Sequence, residues 1–136
     1  MFRLTFATSL LVVLGATVLA ASSDDKTPTI EQIMDKLHKG ANSPLAKLKK
    51  GLASNTPDWK AVQKSTKQFA TLGAELPKNE APKGDQASFK KLADAYASST
   101  KALDDAAQQE ELAPAKAAFR KIGASCKACH TAHRPD

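Results

Sequence analysis

The sequence predicts an all-α fold, an antiparallel four-helix bundle. Three observations carry that prediction. Apolar residues recur at helical spacing in four separate stretches and never alternate over a strand's length. Ala, Lys and Leu are abundant while β-branched residues are few, a composition that favours helices. The links between stretches are short and each stripe is one-sided, which places consecutive helices side by side and antiparallel.

A chain of 136 residues suits one domain. Hydrophobic residues make up 42%, but Ala supplies much of this, and there are only 5 Phe, 1 Trp and 1 Tyr. That composition excludes a wholly disordered chain, a collagen-like chain and a polytopic membrane protein. Two cysteines exclude a disulfide-dense scaffold.

The first stretch is a targeting segment. Arg3 precedes an apolar run from Leu4 to Ala21, which ends in the small residues Ala20, Ala21 and Ser22. A positive end, an apolar middle and a small-residue exit define a secretory signal peptide, with cleavage expected after Ala20. An uncleaved anchor would not need that exit. Residues 21–27 form a short polar tail, and residues 28–136 the bundle domain. Losing Arg3 lowers the net charge from +6 to +5.

The first helix is predicted over 28–54, with Thr27-Pro28 as its start signal and Glu31 complementing the dipole. Ile30, Ile33, Met34 and Leu37 share one face; Leu45, Leu48 and Leu52 continue it beyond a break at 40–44, where Gly40 and Ser43-Pro44 lie. Thr56-Pro57-Asp58 starts the second helix, 57–76, with Val62, Phe69, Leu72 and Leu76 inward. Residues 77–84 are rich in helix breakers and form a loop. Asp85 or Ser88 caps the third helix, which buries Phe89, Leu92, Tyr96 and Leu103 and ends near Gln108. Pro114 lies in the first turn of the fourth, whose stripe runs Ala115, Phe119, Ile122, Cys126, Cys129.

Basic and acidic residues are interleaved and no aromatics alternate with the lysines, so the charge describes a solvated helical surface rather than a nucleic-acid site. A basic face of this kind can steer docking to an acidic partner protein.

The chemistry is at the C-terminus, where Cys126-Lys127-Ala128-Cys129-His130 spells C-x-x-C-H, the signature of c-type haem attachment. Two thiols add across the two haem vinyl groups as thioethers, and the following imidazole meets the iron. Cys126 and Cys129 lie one turn apart and His130 four residues after Cys126, so all three share one side of the helix. Ala106, Ala115 and Ala118 are too small to fill a bundle alone, so the haem is expected in the core, in place of bulky side chains. Three other readings fit less well. A disulfide oxidoreductase places C-x-x-C at the start of a helix after a strand. A zinc site would need one helix to wrap Cys126, Cys129, His130 and His133 around a tetrahedral ion. A disulfide is poorly placed at this spacing on a helix.

An exported four-helix chain ending Gly123-Ala124-Ser125-Cys126-Lys127-Ala128-Cys129-His130-Thr131-Ala132-His133-Arg134 resembles the class II c-type cytochromes, the cytochrome c′ family. The resemblance spans 28–134 and is specific in the last twelve residues. It implies one covalent haem c held by Cys126 and Cys129, His130 as the proximal iron ligand and Arg134 at the haem edge. The family carries Tyr or Phe where this chain has His133, which reads as a partly exposed histidine at a helix end, favoured by the dipole, rather than a second ligand.

Two functions follow from the resemblance. Members with a sixth ligand, often Met from the first helix, carry electrons; members with an apolar residue there keep a five-coordinate iron and bind gases such as nitric oxide. Met34 and His38 are the candidates for the sixth position, and an open site is the third outcome. The expected function is a periplasmic monohaem carrier of single electrons between redox partner proteins. A gas-binding protein is the alternative, and a haem-free metal-binding or structural bundle the third reading. Neither nucleic acid nor, after cleavage, a membrane is an expected partner. A homodimer through the outer faces of the first two helices, a common family arrangement, stays open. No Ser/His/Asp, paired-carboxylate or Gly-rich phosphate constellation occurs, so no enzymatic activity is expected.

Overall fold

The computed structural model describes residues 26–135. The signal peptide over 1–20 and most of the polar tail lie outside the described residues. Among the described residues there are five α-helices, one 3-10 turn and no strand. They are α1 (Ile30–His38), α2 (Pro44–Ala53), α3 (Trp59–Gly73), α4 (Gln86–Gln108) and α5 (Leu112–His133), with the 3-10 turn Leu76–Lys78 between α3 and α4.

The bundle is the predicted one, but its first member is two helices rather than one kinked helix. Gly40 adopts φ +91, a conformation that a helix cannot contain. Ser43 then restarts the chain: its buried side chain accepts from the Ala46 N–H, and Pro44 occupies the first turn. The start of α1 also differs from the Thr27-Pro28 expectation. Thr29 is the N-cap, its hydroxyl accepting from Gln32 N–H while the Gln32 side chain accepts from Thr29 N–H. Asp58, the last residue of the Thr56-Pro57-Asp58 start signal, caps α3, which begins at Trp59 rather than 57. The helix stops at Gly73 rather than 76, because Pro77 turns the chain into a 3-10 geometry. Asp85, not Ser88, caps α4, accepting from Ser88 N–H at 2.6 Å. Glu110 at φ +57 separates α4 from α5.

Cross-helix contacts fix the directions. Gln63 Nε2 donates to the Ala107 carbonyl, Thr66 Oγ1 to Asp104 at 2.6 Å, and Gly73 packs on Thr100. Rising numbers on α3 meet falling numbers on α4, so the two run antiparallel. Ser88 against His133 sets the same relation between α4 and α5. Gly73 is tight for a reason: a Cβ there would lie 3.0 Å from Thr100 Cβ.

The core is made of Ile33, Leu37, Leu48, Phe69, Phe89, Leu103 and Ile122, each at most 1% exposed, with Leu52, Val62, Leu76 and Tyr96 around them. Burying each large side chain contributes about 1.5–3 kcal/mol before conformational entropy is counted. Ala106, Ala115 and Ala118 are buried as well, yet none borders the open space beside Cys126, Cys129 and His130. The expectation that these alanines leave room for a cofactor is therefore corrected. Small residues there let helices approach, and the open space lies elsewhere, among α1, the start of α4 and the end of α5.

Candidate functional site

Cys126, Cys129 and His130 project from the last three turns of α5 toward Met34 and His38 of α1 and Tyr96 of α4. These residues, with Leu76, Leu92 and Ser125, line a largely apolar cavity of about 170 Å³. It shares Met34, His38, Leu76, Cys129 and His130 with a wider groove of about 700 Å³ that runs past Ile30, Phe89 and Pro82 to Arg134. That groove is within the range of about 300–1,000 Å³ usual for a cofactor cleft.

Both thiols are free and half-buried. Burial pushes both up from the ordinary thiol range, so they stand as protonated SH groups. Cys126 Sγ donates weakly to the Ile122 carbonyl at 3.4 Å. Two thiols and an exposed imidazole, one turn apart and facing an apolar space, suit a haem carried on thioethers with a histidine on its iron. Among the described residues no group of three or more His, Cys, Asp or Glu side chains could enclose a bare metal ion, which goes against the zinc alternative.

The two sixth-position candidates differ in their freedom. Met34 is half-buried and faces the cavity with no competing bond. His38, one turn on, has its Nε2 3.1 Å from the Tyr96 hydroxyl and its ring edge-on to Phe69 at 5.5 Å. Burial, and then the nearby His130, hold the His38 imidazole below its ordinary value. Burial likewise drives the Tyr96 phenol far above its own. Tyr96 thus belongs to the site, although its sequence pattern shows only a core position. The available signal was its hydroxyl, since a buried phenol needs a polar partner.

His133 requires a correction. It is 3% exposed rather than partly exposed, and neither ring nitrogen is available as a ligand. Nδ1–H donates to the Lys83 carbonyl at 2.8 Å, and Nε2 meets the Ser88 hydroxyl at 3.2 Å. The ring also stands edge-on to Phe89 at 5.6 Å. The stripe Ile122, Cys126, Cys129 steps by four and three, and a further four reaches His133, so its burial was readable from spacing. Arg134, the C-cap of α5, is exposed on the rim of the groove, and its N–H donates to the His130 carbonyl.

An all-helical bundle whose last helix presents C-x-x-C-H to an apolar cavity defines a c-type haem protein of the helical-bundle class. Comparison with known proteins agrees. The family profile described as cytochrome c′ matches residues 30–134, from the first residue of α1 to the cap of α5. The chain belongs to the cytochrome c′ family, a standing example of the up-down-up-down bundle. The cytochrome c′ of Alcaligenes xylosoxydans xylosoxydans is 46% identical over 50 residues, 37% of this chain and 39% of that protein. The chain thus matches about two fifths of the length of that relative. No solved structure matches the chain significantly. Family membership brings with it a covalently bound c-type haem.

Proposed function

We propose that the protein is a monohaem electron carrier of the periplasm, serving redox partner proteins rather than catalysing a reaction. The haem supplies an iron that cycles between two oxidation states. Cys126 and Cys129 hold it, His130 is its proximal ligand, Met34 its sixth ligand, and Arg134 flanks its edge. The observation that carries this reading is the contrast on α1: Met34 faces the cavity unengaged, whereas the iron-binding nitrogen of His38 is committed to Tyr96. A thioether opposite an imidazole raises the reduction potential and saturates the iron, which suits a carrier and opposes gas binding. No helix among the described residues is long and apolar enough to cross a membrane.

Replacing Met34 tests the reading. The wild-type protein should be low-spin in both oxidation states and inert to carbon monoxide. Met34→Ala should turn the iron high-spin and let it bind carbon monoxide or nitric oxide at once. A wild-type iron that is already high-spin and takes up carbon monoxide would replace this reading with gas binding.

A further inference from the structure

A protein with a methionine and a histidine one turn apart on the same cavity must choose between them. Imidazole is a good ligand for iron, so proximity alone does not explain a methionine-bound site. We propose that Tyr96 makes the choice, as a positioning residue that occupies Nε2 of His38 and so reserves the sixth position for Met34. This rests on the carrier reading above.

The geometry supplies the argument. Tyr96 is 5% exposed, and His38 is the partner of its hydroxyl, 3.1 Å away. Burial keeps the proton on the phenol and keeps the imidazole neutral. Nε2 is engaged in either tautomer: it accepts from the O–H when the ring proton is on Nδ1, and donates to the phenol oxygen when the proton is on Nε2. In either case, bringing Nε2 to a metal requires breaking its hydrogen bond with Tyr96. Phe69 gives the ring a second packing contact, edge-on at 89°. Swinging His38 to the iron would strand a buried hydroxyl, a state the molecule otherwise avoids: among the described residues no buried side-chain nitrogen or oxygen is without a partner. Met34 is spared this competition.

The test uses the haem-loaded protein and three oxidised-state spectra, read for the weak sulfur-to-iron charge-transfer band. The wild-type spectrum tests the carrier reading by itself: without the band, that reading and the selection built on it both fall. With the band present, Tyr96→Phe keeps the ring but frees Nε2. It should lose the band, stay low-spin and lower the reduction potential, as histidine replaces methionine. Adding His38→Ala to Tyr96→Phe should restore the band, because no competing imidazole remains. A Tyr96→Phe protein that keeps the band overturns the selection while leaving the carrier reading intact. So does a loss of the band that His38→Ala does not reverse, since general loosening of the bundle would have caused it.

Discussion

At the scale of single residues, His133 joins three parts of the chain through one ring. It holds the Lys83 carbonyl of the α3–α4 loop, the Ser88 hydroxyl in the first turn of α4, and the edge of Phe89. His133→Ala removes the partner of the first two and opens a hole beside the third. A stability loss of about 1–3 kcal/mol is expected from the two lost hydrogen bonds and the vacated space, measurable by urea unfolding of the haem-loaded protein. His133→Phe should recover only the contact with Phe89.

His38 makes a prediction about pH. Its folded value lies below the ordinary 6.5, so the unfolded chain takes up this proton first as pH falls. Above 6.5 the residue contributes no pH dependence; below it, stability should decline until the folded value is passed, then level off. Melting temperatures from about pH 7 to about pH 5 should fall in the wild type and fall less in His38→Gln. The C-x-x-C-H motif and its place on the last helix were legible because they are written in adjacent letters. Tyr96 and the role of His133 were not, because each depends on which side chain of another helix comes within reach.

At the scale of elements, α1 is the vulnerable one. Nine residues do not make a stable helix in isolation, so α1 depends on its cap and on packing through Ile33 and Leu37. Thr29→Ala removes one side of the capping box and should cost about 1 kcal/mol. Because Met34 rides on this helix, the same change should raise the fraction of molecules that bind carbon monoxide, which a spectroscopic titration reads directly. The α3–α4 loop has its own constraint. Gly84 adopts φ +79, and a Cβ there would lie 2.9 Å from the Ala132 carbonyl. Gly84→Ala should therefore lose about 1–2 kcal/mol to the left-handed backbone alone, and more to that contact.

The helices were legible from their stripes, and Asp58, Asp85 and Ser43-Pro44 marked starts correctly. The misplaced start of α1 shows the limit. Thr27-Pro28 and Thr29 are both acceptable start signals, and only the reach of Gln32 back to the Thr29 N–H decides between them.

At the scale of the whole molecule, charge is less evenly interleaved than the whole-chain reading expects. The α2–α3 unit exposes Lys47, Lys49, Lys50, Lys60, Lys64 and Lys67 against the single acid Asp58, and none of the six forms an ion pair among the described residues. By contrast Lys39, Lys90 and Lys101 each have an acid four residues away on the same helix. Pairing two copies through this face brings like charges together, and that repulsion weakens with salt. Sedimentation should accordingly find any dimer built on α2 and α3 strengthened by added salt and weakest at low ionic strength. The position of the cofactor space was less legible than the bundle itself. Counting small residues pointed to Ala106, Ala115 and Ala118, but composition cannot say whether small side chains make a void or let helices close. Here the helices close on them, and the space opens at the end where α1 is short and the chain breaks at Gly40.

The proposed haem, fixed to Cys126 and Cys129 with His130 and Met34 on its iron, has a direct optical signature. The most direct measurement is the absorption spectrum of the purified oxidised wild-type protein, recorded before and after reduction under carbon monoxide. A low-spin spectrum with the sulfur-to-iron charge-transfer band is expected, and a reduced form that carbon monoxide leaves unchanged. A high-spin spectrum without the band, shifting at once under carbon monoxide, would contradict the proposal.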